Sequence, residues 1–145
     1  MKLYSNLMLA ATALAACMPA VAAETATITS SVNVRSGPGR SLPTVTWLLT
    51  GTQVSVVGCV ANWRWCDVVA GRDRGWVYAR FLAFSHGGGS VTIVNGGPTL
   101  GLPSIEFAFG PYWDAHYRDR IWYGQKAAWQ SRWERLPPPP PWRER

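Results

Sequence analysis

Few side chains in this sequence could carry out catalytic chemistry. The chain has three cysteines and two histidines, which are Cys17, Cys59, Cys66, His86 and His116. A cysteine nucleophile needs a free thiolate beside a base, and a catalytic zinc needs about three protein ligands. His86 lies in a run of glycines, and no cysteine follows it. We therefore expect a protein that is not an enzyme and holds no cofactor or metal.

The glycine-rich sequence SGPGRSLP at residues 36–43 is a second candidate for chemistry. A dinucleotide-type phosphate loop needs G-x-G-x-x-G before a helix, so that backbone amides converge on the anion. Here the third glycine is missing, and Pro38 has no amide proton. We interpret the stretch as a tight bend between strands, in which Gly37 and Gly39 supply positive φ. Arg35 beside the bend could bind a carboxylate, or it could be solvated or paired within the protein.

The first 23 residues have the composition of an export signal. Lys2 precedes an apolar run at residues 7–16, which is too short to span a bilayer. The small residues VAA at 21–23 predict a signal peptide that is cleaved after Ala23. The sequence LAAC at 14–17 alternatively resembles a lipobox, in which Cys17 would carry a lipid anchored in the envelope. The first alternative predicts a periplasmic or secreted protein, and the second predicts a lipid-anchored one.

Export would place Cys59 and Cys66 in an oxidising compartment. A cysteine pair in that setting is interpreted first as a disulfide. A two-residue turn at Asn62 and Trp63 would set the two cysteines opposite each other on neighbouring strands. The sequence therefore predicts a hairpin that is joined by one disulfide.

The chain as a whole is strongly basic. The formal net charge of the chain is +6, and its basic residues are nearly all arginine, whose planar fork suits carboxylates and phosphates. Anionic envelope polymers and lipid headgroups are therefore plausible neighbours. We expect Asp67 or Asp73 to pair with Arg72 or Arg74 across a turn, as surface interactions of little energetic value.

Short β-branched or aromatic runs alternate with turn residues from residue 25 to residue 82. This rhythm predicts a small all-β barrel, with strands at residues 26–34, 44–49, 53–60, 64–70 and 74–79. Residues 85–110 are predicted to be a glycine-rich linker with one possible extra strand at 91–97.

Four motifs in this region resemble the bacterial SH3-like (SH3b) domain family. In chain order they are VNVRSGPG, LLTGTQVSV, NWRWCDV and GWVYARFL, which lie within residues 27–82. The resemblance implies an SH3-like barrel of five to six strands in a domain at residues 24–84. It also implies a non-catalytic binding role at the cell envelope, often toward peptidoglycan or peptide-like ligands. The cysteine pair looks like a variant found in small exported members of the family.

Aromatic side chains are the best candidates for ligand contacts. Trp63 and Trp65 flank the predicted hairpin turn, while Trp76 and Tyr78 share one face of the last strand. Such rings can stack on sugars or pack against an extended peptide. We expect Trp76 in the core and Trp63 at the surface. The predicted ligand-binding residues are Arg35, Trp63, Trp65 and Tyr78.

Residues 111–145 form a tail that is rich in tryptophan, arginine and proline. It is expected to be partly helical or disordered, and the five prolines at 137–141 favour a polyproline II rod. The tail could contact a membrane surface or fold back on the barrel, and its prolines could lie in an aromatic groove. Export argues against nucleic acid as a partner. Peptidoglycan or an envelope protein is the expected partner.

Overall fold

The computed structural model describes residues 24–93 and 98–135. The predicted signal peptide, the alternative lipid site at Cys17 and the proline run lie outside these residues. The strands are β1 Glu24–Ile28, β2 Val32–Arg35, β3 Thr44–Leu48, β4 Gln53–Cys59, β5 Trp65–Ala70, β6 Asp73–Tyr78, β7 Leu82–His86 and β8 Gly89–Thr92. The α-helices are α1 Phe109–His116 and α2 Lys126–Glu134, and single 3₁₀ turns occupy Ala79–Phe81, Pro98–Leu100 and Tyr123–Gln125.

The eight strands form one antiparallel sheet in the order β3-β2-β6-β5-β4-β1-β7-β8. The alternation along β4 buries Val54 and Val56 and leaves Gln53 exposed, which is the period of a strand with one face in the core. Residues of β1 to β7 share one hydrophobic core. The predicted fold class, all-β with a partly helical extension, is confirmed.

The number of strands differs from the prediction for two local reasons. The predicted strand at residues 26–34 is divided, because β1 pairs with β4 and β7 whereas β2 pairs with β3 and β6. Thr29 and Ser30 make the bend between them, as hydroxyl side chains often do in turns. The β7–β8 hairpin adds a further pair through Gly87 and Gly88, whose φ angles are 59° and 79°.

The predicted hairpin and disulfide are confirmed, but the turn is centred on Ala61 and Asn62 rather than on Asn62 and Trp63. Cys59 and Cys66 are opposite each other in the β4–β5 ladder, are fully buried and are joined by a disulfide. The turn closes through hydrogen bonds from the Val60 amide to the Trp65 carbonyl and from the Trp63 amide to the Val60 carbonyl, at 3.0 and 2.8 Å. Trp63 takes a φ of 58°, which the end of this tight turn requires.

The prediction that Gly37 and Gly39 supply positive φ is wrong. Neither is among the residues with positive φ, and the bend needs glycine because other side chains press against it. A Cβ atom at Gly37 would lie 2.7 Å from Cζ of Phe107, and one at Gly39 would lie 2.7 Å from Cζ3 of Trp133. Both rings belong to the C-terminal extension, residues 98–135, so the glycines make room for that extension.

The extension packs on one face of β5 and β6. On that face Arg74, Trp76 and Tyr78 of β6 stand opposite Val69, Asp67 and Trp65 of β5. Trp76 is only 1% exposed, because Phe107 and Tyr112 cover it with ring centroids 5.5 and 5.8 Å away. Trp76 is therefore buried as predicted, although its partners come from the extension.

Four of the five tail tryptophans fold back as part of this packing. Trp113 is buried, and Trp122, Trp129 and Trp133 pack against the core while remaining partly exposed. The Trp113 indole nitrogen donates a hydrogen bond of 3.0 Å to the Tyr123 carbonyl. Of the alternatives open for the tail, folding back on the barrel is the one observed for these four rings. The fifth, at residue 142, lies outside the described residues.

Asp114 ties the two helices of the extension together. Its carboxylate accepts hydrogen bonds from Nζ of Lys126 at 2.7 Å and from the Tyr123 hydroxyl at 2.9 Å. The hydrogen bond from Lys126, followed by that from Tyr123, lowers the pKa of Asp114 below its usual value.

A buried carboxylate joins the barrel to the extension. Asp67 is 2% exposed, and its oxygens accept hydrogen bonds from Nε and Nη2 of Arg74 at 3.1 and 2.8 Å. The Tyr112 hydroxyl of α1 donates a third, at 2.7 Å. Burial, the largest influence, raises the pKa of Tyr112 well above its ordinary value, so this hydroxyl keeps its proton. The predicted pairing of Asp67 with Arg74 is confirmed, but it is a buried network rather than a surface contact.

Reduction of the disulfide should lower the free energy of unfolding by about 2 to 3 kcal/mol, because the bond closes a short loop in the unfolded chain. Urea titrations with and without dithiothreitol measure this difference. The double variant C59A/C66A serves as the control and should not respond to the reductant. An unchanged midpoint for the wild-type chain after complete reduction would contradict the expectation.

The substitution Asp67→Ala should lower the free energy of unfolding by about 3 kcal/mol, because it leaves the partly exposed Arg74 guanidinium and the Tyr112 hydroxyl without their acceptor. Tyr112→Phe removes one hydrogen bond to a charged group and should cost about 1.5 to 3 kcal/mol. The matched control is Asp119→Asn, since Asp119 is 82% exposed and lies 3.7 Å from Nε of Arg120. Its expected cost is below about 1 kcal/mol. Equal urea midpoints for the Asp67 and Asp119 variants would show that the network contributes little.

Candidate functional site

Three of the four predicted ligand-binding residues meet in one open cleft. We call it the aromatic cleft, and its volume is about 210 Å³. It lies where the start of β5 and the end of β6 face β2. Its lining residues are Val32, Asn33, Arg35, Arg40, Trp65, Tyr78 and Phe81.

Paired strands hold the rings of the aromatic cleft in place. Trp65 and Tyr78 are directly opposite in the β5–β6 ladder, and their ring centroids are 5.4 Å apart in an edge-to-face arrangement. Phe81, in the 3₁₀ turn that follows β6, lies 6.2 Å from the Tyr78 ring. The Arg40 guanidinium carbon lies 5.4 Å from the centre of the Tyr78 ring, a distance at which cation and ring attract each other. The cleft thus has apolar walls with a cation at its edge.

Arg35 is oriented by the bend that follows β2. Its Nη1 donates hydrogen bonds to the Leu42 carbonyl at 3.1 Å and to Oγ1 of Thr44 at 2.8 Å. The other guanidinium nitrogens make no hydrogen bond within residues 24–93 and 98–135, so they can donate to an acceptor in the cleft. Arg35 is therefore paired within the protein and still able to bind an anion.

Trp63 is separate from this group. It does not line the aromatic cleft, and it is partly buried against the hydrophobic core rather than exposed as expected. Trp63 has a φ of 58° at the end of the turn, and its ring packs against the hydrophobic core.

Sequence reasoning missed Arg40 and Phe81 as members of the cleft. Arg40 follows the SGPG bend, which was interpreted only as a turn. Phe81 follows Tyr78 by three residues, a spacing that brings two rings together when the chain enters a 3₁₀ turn, as it does here. The aromatic motif GWVYARFL contained that signal.

A second, polar cleft lies at the other end of β6. We call it the arginine cleft, and its volume is about 450 Å³. The β5–β6 turn supplies one wall, and the end of α1 with the turn after it supplies the other. Its lining residues are Arg72, Asp73, Arg74, Ala115, His116, Asp119 and Arg120. No feature of the sequence predicted this cleft, because its two walls are far apart in the chain.

Two of the three guanidinium groups in the arginine cleft are held by fixed partners. Arg74 is bound to Asp67, and this hydrogen bond raises its pKa above the ordinary value. Arg120 donates from Nη1 to the Val45 carbonyl at 3.1 Å and from Nη2 to Asp73. Asp73 therefore pairs with Arg120 and not with Arg72 or Arg74, the partners predicted for it. Burial, followed by the charge of Arg74, lowers the pKa of His116, so this imidazole is neutral near pH 7.

The side chains that line the two clefts can donate hydrogen bonds, form ion pairs and pack against rings. Cys59 and Cys66 offer no thiolate while they are joined. Among residues 24–93 and 98–135, no three His, Cys, Asp or Glu side chains are grouped so that they could hold a metal ion. Over the same residues, the helices are too short and too polar to cross a membrane.

Comparison with known proteins identifies the barrel. The family model described as bacterial SH3 domain matches residues 30–83. The comparison with curated proteins and the comparison with solved structures find no match. The matched residues run from the bend before β2 into β7, so they contain the hairpin, the disulfide and all the lining of the aromatic cleft. Residues 30–83 of this chain therefore match the bacterial SH3 domain family, whose domains are generally binding modules.

Proposed function

We propose that this chain is a non-catalytic binding module of the bacterial envelope, periplasmic or secreted, which recognises peptidoglycan or a peptide-like ligand through the aromatic cleft. The observation that carries the proposal is the meeting of Arg35, Trp65 and Tyr78 in one open cleft. The family supports a binding role, and the disulfide fits an oxidising compartment.

The shape and chemistry of the aromatic cleft suit a sugar or an extended peptide. Trp65, Tyr78 and Phe81 offer ring faces and edges at which an apolar surface of a ligand can pack. Arg35 and Arg40 lie at the same cleft and can donate hydrogen bonds to a carboxylate or carbonyl group. Peptidoglycan presents sugar rings, peptide groups and carboxylates together, so it meets both requirements.

The double substitution W65A/Y78A should reduce retention of the full chain on purified peptidoglycan sacculi by about tenfold or more, because buried aromatic contacts dominate binding energy. The measurement is the bound fraction in a pull-down over a range of sacculus concentrations. Ile121→Ala is the matched control, since this side chain is fully exposed and does not line the aromatic cleft. Near-ultraviolet circular dichroism checks that both variants keep the fold.

Salt separates cleft binding from general charge attraction. At roughly 1 M salt the Debye length is about 3 Å, so attraction between exposed charges is screened. Wild-type retention should persist under this condition, because stacking contacts are not screened. Retention that disappears at high salt, or that is equal for W65A/Y78A and the wild type, would refute the role of the cleft in peptidoglycan binding.

A second candidate function is protein–protein interaction in the envelope without affinity for glycan. It is favoured by β3, which is an edge strand of the sheet. Trp47 on this strand and Leu49, one residue after it, are 57% and 58% exposed. An edge strand can accept a strand from a partner, and exposed tryptophan is typical of interaction sites.

For this second candidate, Trp47→Ala should reduce a specific cross-linked product in the native envelope at least severalfold, since the ring would contribute a central contact. Cross-linking of the tagged full chain in intact cells measures it, again with Ile121→Ala as the control. A product of unchanged yield would exclude this edge as the contact.

A further inference from the structure

We propose that the arginine cleft is a second binding site, which takes a zwitterionic amino acid or short peptide. The carboxylate of the ligand would lie between Arg72 and Arg74, and its ammonium would be received by Asp119. This inference does not depend on the proposed function, because none of these residues lines the aromatic cleft.

The first support is the presence of donors that the fold leaves unused. Arg72 is exposed and makes no hydrogen bond or ion pair with the described part of the chain. Arg74 uses Nε and Nη2 for Asp67, which fixes the plane of its guanidinium and leaves Nη1 for another acceptor. A fixed guanidinium beside a free one can hold a carboxylate at little further cost in side-chain entropy.

The second support is the balance of charge in the lining. Three arginines face two aspartates, so the formal lining charge is +1 while His116 is neutral. Asp73 is occupied by Arg120, whereas Asp119 is mostly exposed and only loosely paired, 3.7 Å from Nε of Arg120. A doubly negative ligand such as phosphate would meet these two carboxylates, whereas a zwitterion uses one of them as an acceptor.

The third support is the way the cleft is built. Its β5–β6 wall belongs to the matched SH3 region, which ends at residue 83, and its other wall comes from α1 and the turn after it. The cleft therefore exists only when the extension is docked. Its volume of about 450 Å³ is within the usual range for small-molecule sites, roughly 300 to 1,000 Å³.

The test uses alanyl-alanine as the probe and the full chain as the protein. Nuclear magnetic resonance should show saturable shifts at the Arg74 and His116 side-chain signals. The amide of the dipeptide should bind at least about tenfold more weakly, because its carboxylate is lost. The N-acetyl dipeptide should also bind more weakly than the free dipeptide, since Asp119 loses its ammonium partner. Inorganic phosphate should bind more weakly than the free dipeptide.

Matched variants locate the site. Arg72→Gln should weaken binding of the dipeptide by about tenfold, whereas Arg132→Gln on α2 makes the same change of charge elsewhere and should leave it within about twofold. Asp119→Asn should make the free and N-acetyl dipeptides bind alike. Trp65→Ala should leave the dipeptide-dependent shifts of the Arg74 and His116 signals unchanged, whatever it does to binding in the aromatic cleft, and this local readout separates the two sites.

The titration of His116 gives an independent readout. Burial and then the charge of Arg74 lower the pKa of His116, and the charge of Asp67 raises it. The other titratable or charged groups around this imidazole are Arg72, Asp73, Asp119 and Arg120 in the cleft lining, with the rings of Tyr112 and Tyr117. A bound carboxylate adds a negative charge to this set and should raise the pKa of His116. The signal of His86, in the β7–β8 hairpin, should not move with ligand.

Several outcomes would overturn the proposal. These are the absence of saturable shifts with alanyl-alanine, equal binding of its amide, and equal losses in the Arg72 and Arg132 variants. Tighter binding of phosphate or of the N-acetyl dipeptide would instead assign a general anion site, and would also overturn the zwitterion assignment.

Discussion

A buried carboxylate needs hydrogen-bond donors in place of water, and Asp67 has donors from both the barrel and the extension. Arg74 of the barrel and Tyr112 of the extension both donate hydrogen bonds to the Asp67 carboxylate. Rings of the extension also cover Trp76, which is opposite Asp67 in the β5–β6 ladder. An SH3 barrel without the extension would leave this carboxylate and this tryptophan at the surface. The extension is therefore the second half of a folded unit rather than an appended tail.

This docking also determines where ligands can approach. The extension covers the middle of the β5–β6 face and leaves its two ends open. Arg74 and Tyr78 are four residues apart on β6, about 13 Å at 3.3 Å per residue, and they belong to different clefts. One end is aromatic with arginines at its edge, and the other carries arginines and aspartates. A single strand thus presents two chemically distinct surfaces.

The barrel could be predicted from the sequence because its signals are local. Strand alternation, turn residues and the spacing of Cys59 and Cys66 each act over about ten residues or fewer. The docking of the extension could not be predicted in the same way, because Gly37 meets Phe107 and Asp67 meets Tyr112 only after the chain has folded back. Three residues of the aromatic cleft could be predicted because they lie in short motifs of the barrel. The arginine cleft could not be predicted, because its walls come from segments that are about 40 residues apart in the chain.

Native-state hydrogen exchange tests most directly whether the barrel and the extension form one cooperative unit. The amides of Tyr112 and Tyr117 are hydrogen-bonded to the carbonyls of Ala108 and Trp113 in the extension, and the amides of β5 report on the barrel. The account predicts that both sets exchange with the same opening free energy, within about 1 kcal/mol, and respond equally to urea. Exchange of the extension amides at a much lower opening free energy, while β5 stays protected, would show that the extension unfolds by itself and would contradict the account.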